Sequence, residues 1–251
     1  MLLDYDRLGW LRAALAGFTA LVAAFLLLPV VFIILLSFGS SRWLAFPPPG
    51  WTVKWYQELL ADPAWIDAAL TSAKIAAMAA ILSVLIGLLA SFSLVRGEFR
   101  GRQLLRGLLL TPMVLPVVVF AIAIYAFFLR LGLAGTTVGF VVAHTILALP
   151  FAIIPIATAL EGFDKSIEDA AIVCGASPLQ ARLRITLPSI RIGIFSAAIF
   201  SFPTLQTLPV KIWGSLRADL SPVVAAASSL LVGLTLCLMI VTALLRRRLS
   251  R

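Results

Sequence analysis

Few side chains in this sequence could do covalent chemistry, and its most distinctive polar stretch is built for docking. The chain has one histidine, His144, and two cysteines, Cys174 and Cys237. A lone histidine builds neither a hydrolytic triad nor a zinc site, and no His/Cys/carboxylate group has metal-ligand spacing. Gly-x-x-x-x-Gly-Lys-Ser/Thr does not occur, so the phosphate cradle of an ATPase is missing. These absences argue against an enzyme and against a metal site. The informative stretch runs Ser-Ile-Glu-Asp-Ala-Ala-Ile-Val-Cys-Gly-Ala-Ser-Pro-Leu-Gln-Ala-Arg-Leu-Arg-Ile-Thr-Leu-Pro from Ser166 to Pro188. Ser166 with Asp169, and Ser177 with Gln180, have the capping-box interval, in which a hydroxyl accepts from orphan helix amides. Pro178 follows at the first helical position. Two short helices are predicted, hinged at Gly175, with the second ending near Pro188. Such a hinge presents the small Ala170 and Ala171 to a close-approaching protein.

The elements that must position this stretch are membrane spans. Of the 251 residues, 62% are hydrophobic and only 12% charged, far from a soluble domain's balance. Apolar runs over 13–38, 75–95, 107–129, 131–160, 192–210 and 221–245 are each long enough to cross a bilayer, which predicts six helices. The runs are continuous and lack period-two alternation, which excludes a β-barrel. The first run has Asp4 and Asp6 in its flank, is too long for a signal-peptide core and lacks a small-x-small cleavage site, so it is expected to remain as a span. The predicted fold is an all-α integral membrane protein with one transmembrane domain over 1–251. Its first span covers about 13–38, its core about 67–245, and its polar loop 161–190.

The formal net charge of +9 does not signal nucleic acid here; in a membrane chain the placement of arginine sets orientation. With a cytoplasmic N-terminus, the inner segments hold Arg7, Arg12, Arg96, Arg100, Arg102, Arg106, Lys165, Arg182, Arg184, Arg191, Arg246, Arg247, Arg248 and Arg251. The outer segments hold only Arg42, Lys54, Arg130, Lys211 and Arg217, with Lys74 near the start of the second span. Both termini and the polar loop are therefore expected in the cytoplasm; with Cys174 in that reducing compartment and Cys237 inside the sixth span, the two cysteines are expected unpaired.

Inside the spans, His144 is the one titratable group that breaks an apolar run, and such groups are candidates for function or for an interhelical hydrogen bond. Thr111, Pro112 and Pro116 are candidates for a pathway, because each proline frees a carbonyl that only protein or a water-filled cavity can satisfy. Asp67 is expected to cap the second span and Lys74 to snorkel outward. The outer segment carries Trp51, Trp55, Tyr56 and Trp65, which suits an interfacial aromatic belt or a docking surface.

The polar loop resembles the EAA loop of ABC importer permeases: Glu-Ala-Ala, three residues, Gly, nine residues, Ile-x-Leu-Pro. Asp169, Ala170, Ala171, Gly175, Ile185, Leu187 and Pro188 fall in that register, with Asp in place of the leading Glu. Trp51-Thr-Val-Lys-Trp-Tyr56, Thr207-Leu-Pro-Val-Lys-Ile-Trp213 and Ser221-Pro222 are similar to segments of the spermidine/putrescine permeases in that group. The resemblance implies a type I importer permease in the bacterial inner membrane. It also implies that Glu168, Asp169, Ala170, Ala171, Gly175, Ile185, Leu187 and Pro188 couple to an ATPase dimer, which holds ATP and magnesium. A second permease subunit and a periplasmic solute-binding protein complete the implied assembly. This sequence departs from the pattern in two places: some ten residues are missing between Phe202 and Thr207, and Val223, Val224 and Ala225 replace Glu and Asn. A non-transporting scaffold subunit, or an importer of iron, thiamine or phosphonate, therefore stays open as an alternative.

Overall fold

In lipid, a backbone must satisfy its own N–H and C=O groups, and a single segment does this as a helix. The computed structural model describes residues 9–201 and 222–249, and every regular element among them is helical. The order is α1 (Gly9–Ser37), α2 (Lys54–Ala61), α3 (Pro63–Arg96), α4 (Arg102–Val114), α5 (Val117–Leu131), α6 (Thr137–Glu161), α7 (Lys165–Val173), α8 (Pro178–Ala181), a π-helical stretch (Arg182–Thr186), α9 (Leu187–Ser189), α10 (Arg191–Ser201) and α11 (Pro222–Leu249). Among the described residues, four helices are long and apolar enough to cross a membrane unaided, and the number reaches six when two bent pairs each count as one span.

The larger bend traces to proline. Between α4 and α5 the chain turns by 108°. Pro116 pushes Leu115 into extended backbone, φ −72° and ψ 138°, as proline does to the residue before it. The expected continuous third span over 107–129 is thus broken. The other bend, 70° between α9 and α10, lies within the fifth expected span's approach. That span is described only to Ser201, so Pro203 and the shortened stretch between Phe202 and Thr207 lie outside the described residues.

Among the described residues, 9–67 and 222–239 form one compact unit, and 68–201 with 240–249 form another. In the first unit, Trp55, Leu59 and Trp65 pack against Val224, Ala226 and Ala227. The Trp55 indole N–H donates to the carbonyl of Gly39 at 2.6 Å, and the Tyr56 hydroxyl is 2.6 Å from Ser37 Oγ and 2.7 Å from Ser229 Oγ. Trp55 and Trp65 are therefore core residues and not part of a belt; Trp43 and Trp51 are the exposed tryptophans of this segment. Val224 and Ala225, where the resemblance predicts polar residues, are buried in this unit. Asp67 does not cap α3 either. That role falls to Asp62, whose carboxylate accepts from the Ala64 amide at 2.9 Å.

In the second unit, small residues let helices approach closely. A Cβ on Gly87 of α3 would come within 2.9 Å of Ala152 Cβ on α6, and one on Gly193 of α10 within 2.6 Å of Ala159 Cβ. Ser91 Oγ donates across to the Ile153 carbonyl at 3.3 Å. Ala152, Ile156, Leu160, Ile190 and Ala197 form the buried centre, with Phe92, Val95 and Phe163 packed around its loop-facing end. The polar loop sits on that end.

Candidate functional site

The loop between α6 and α10 is assembled from local signals. Asp164 starts α7 by accepting from the Ser166 amide at 2.9 Å. This bond, with a smaller pull from the Arg96 charge, holds the Asp164 carboxyl below its ordinary value. Ser166 was the expected cap; it lies inside the first turn instead. At the other end the Ala176 amide bonds to the Ala171 carbonyl at 3.0 Å and the Gly175 amide to that of Ile172 at 2.9 Å. That is a Schellman closure, and it needs a left-handed residue at Gly175, where φ is +96°. The second capping box forms as the spacing predicts: Gln180 N–H to Ser177 Oγ at 3.2 Å and Ser177 N–H to Gln180 Oε1 at 2.9 Å. Beyond it, the Leu187 amide reaches back five residues to Arg182. Pro188 has no N–H for Arg184 and its ring would crowd that carbonyl, so the π turn gives it room. The helix runs one residue past Pro188 before it breaks at Ile190.

Which faces these helices bury decides what the loop can do. Glu168 is turned inward: its Oε1 lies 3.4 Å from Arg96 Nη2, with side chains 8% and 15% exposed. The same Nη2 donates to the Phe163 carbonyl at 2.9 Å. Arg182 lies 5.9 Å from the Phe92 ring centroid, a second tie to the end of α3. Asp169, Ala170, Gly175 and Pro188 face solvent, while Ala171, Ile185 and Leu187 are half-buried. Beside them an apolar surface lies open: Val173 is 88% exposed, and Ile167, Ile172, Leu179 and Leu183 are exposed as well. An exposed apolar patch on a polar-rimmed loop is the signature of a protein contact. The motif residues carry the expected contact, and the branched side chains around Gly175 extend the exposed surface beyond them.

The pathway candidates are more scattered. Thr111 is exposed and its hydroxyl returns to the Gly107 carbonyl in its own helix at 2.8 Å. Pro112 lies inside α4 and Pro116 caps α5, so both mark the 108° break. His144 is buried on α6. Its Nδ1 donates to the Phe140 carbonyl at 2.7 Å, four residues back, and its Nε2 is buried without a partner. The bond is within one helix, not between helices, and no hydrogen bond joins His144 to Thr111. A groove of about 420 Å³ beside α3 and α10 is lined by Ala77, Ala80, Ile81, Val84, Leu85 and Ala198, and offers a solute no polar group. Among the described residues no three His, Cys, Asp or Glu side chains could share a metal.

A capped loop with an open apolar face, seated on transmembrane helices, finds its match in a known family. The profile described as "Binding-protein-dependent transport system inner membrane component" matches residues 83–209, which takes in the whole loop. The chain belongs to that family. It is 30% identical to the spermidine/putrescine transport system permease protein PotC of Escherichia coli (strain K12), over 94% of this chain and 95% of that protein. It is 32% identical to the putrescine transport system permease protein PotI of the same strain, over 87% and 84%. The diacetylchitobiose uptake system permease protein NgcG of Streptomyces coelicolor is 28% identical over 70% of this chain and 60% of its own length. A crystal structure of a bacterial ABC transporter that imports alginate covers 99% of the chain with a TM-score of 0.70 at 16% identity, which establishes the fold. The chain is thus a multi-pass permease subunit of an ABC importer.

Proposed function

We propose that this permease carries a polyamine, spermidine or putrescine, across the bacterial inner membrane. The observation that carries the reading is similarity over nearly the full length to two polyamine permeases, joined to a loop whose exposed face suits an ATPase. An ATPase dimer docks on the loop at 161–190 and holds the ATP and magnesium. A second permease subunit completes the solute path and a periplasmic binding protein delivers the solute. Both termini lie in the cytoplasm, in keeping with the arginine-rich inner segments. Among the described residues, the spanning helices carry only Asp67 and Glu161 as acids, each within five residues of a helix end.

The test is radiolabelled spermidine uptake into proteoliposomes that contain the assembled importer, its binding protein and internal ATP. Saturable, ATP-dependent uptake that unlabelled putrescine reduces is expected. ATP hydrolysis stimulated by the binding protein but with no spermidine or putrescine uptake would overturn the solute. Hydrolysis that the binding protein does not stimulate would favour the scaffold reading, to which the buried Val224 and Ala225 give some weight.

A further inference from the structure

Arg96 closes α3 and is the only side chain with a hydrogen bond into the loop from that helix among the described residues. Its bonding is incomplete. Nη2 donates to the Phe163 carbonyl at 2.9 Å and reaches Glu168 Oε1 only at 3.4 Å, while Nε is buried and has no partner. A guanidinium and a carboxylate fit as a fork with two parallel bonds of about 2.7–2.9 Å. A buried donor left without an acceptor is unfavourable. The pair is therefore half made, and an approach of α7 toward the end of α3 would shorten the Glu168 contact and offer Nε an acceptor.

We propose that Arg96 and Glu168 form a positioning latch, slack in this conformation and closed as a two-bonded fork in the other state of the transport cycle. Closing it delivers the movement of the loop to α3. The elements on either side are suited to that. Leu160 and Ile190, both essentially fully buried, back the loop with packed side chains that pass displacement on without absorbing it. The Arg182–Phe92 contact holds the second loop helix to the same end of α3. The Schellman turn at Gly175 closes α7 directly after the exposed Val173, so a push on that residue moves the helix that carries Glu168. The inference rests on the reading that an ATPase drives this loop. It adds that Glu168, unlike Asp169 beside it, acts inward.

Arg96→Lys keeps the charge and removes the fork; Glu168→Gln keeps the shape and removes the charge. Each is assembled with the ATPase, second permease and binding protein in proteoliposomes, and spermidine uptake is divided by ATP hydrolysed in the assembled complex. The latch predicts normal co-purification of the ATPase, an unchanged KM for spermidine, and uptake per ATP lowered by about threefold to tenfold in both variants. A purely structural pair would lower the yield of complex and leave uptake per ATP unchanged, which would overturn the latch. Wild-type uptake per ATP in Arg96→Lys would overturn it too. A Val173→Asp variant separates the underlying reading: if it keeps its ATPase and full uptake, the loop is not the docking surface, and the latch falls with it.

Discussion

The contact between α10 and α6 gives a stability prediction whose size follows from geometry. A Cβ on Gly193 would lie 2.6 Å from Ala159 Cβ and 2.8 Å from the Pro155 carbonyl oxygen, and the latter is backbone that cannot swing aside. For Gly193→Ala to fit, α10 must withdraw from α6 by roughly 1 Å, an overpacking strain of about 1–3 kcal/mol. Alanine also favours a helix over glycine by about 1 kcal/mol, so the net loss relative to wild type is up to about 2 kcal/mol. Gly233→Ala on α11 isolates the steric part, because a Cβ there meets nothing within 4 Å while the helix-propensity gain is the same. Thermal unfolding of both variants in mild detergent, followed by circular dichroism, is the assay. Gly193→Ala should melt lower than wild type by up to about 8 °C, and Gly233→Ala at or slightly above wild type. Equal melting of the two variants would refute the close packing of α10 on α6. Since α10 continues directly from the loop, Gly193→Ala should also slow spermidine uptake.

Further outcomes follow from the loop and the charge distribution. Ser177→Ala removes half of the capping box and should cost about 1 kcal/mol, seen as earlier protease cleavage near Ala176 with the spans intact; unchanged cleavage would contradict the cap. Cys174 is exposed on the loop, so an impermeant maleimide should label it in inside-out vesicles and not in intact cells, and a Ser41→Cys variant that also carries Cys174→Ser should show the reverse. Labelling of Cys174 from outside would invert the topology. Gly175→Ala should weaken coupling and Gly175→Asn less so, because asparagine tolerates φ of +96° better than alanine; equal activity of the two would show that the turn is not held left-handed.

Much of this was legible because the physics is local. Apolar runs of twenty residues announced the spans, and Ser177, Pro178 and Gln180 announced a cap that the structure contains. Gly175 announced the hinge, which the structure makes as a left-handed turn at φ +96°. Where polar side chains lie two to five residues apart, spacing alone does not choose the cap: Ser166 and Asp67 were expected, and the structure uses Asp164 and Asp62. Glu168 and Asp169 differ by about 100° around the helix, and only the position of Arg96, 72 residues away, decides that Glu168 is the one buried. Trp55 and Trp65 looked interfacial because aromatic residues serve both belts and cores; a hydrogen bond to Gly39 and packing on α11 settle it. The 108° break was hidden because Pro116 marks a kink without giving its angle.

The proposed docking face surrounds Gly175, and Val173, 88% exposed at its tip, is the residue to probe. A photoreactive amino acid placed at position 173 and irradiated in intact cells should give one dominant adduct, of this permease with its ATPase. The adduct should disappear when Gly175 is also changed to Asp. Adducts only with lipid or with the second permease, at normal uptake, would contradict the assignment of this loop as the surface that ATP hydrolysis drives.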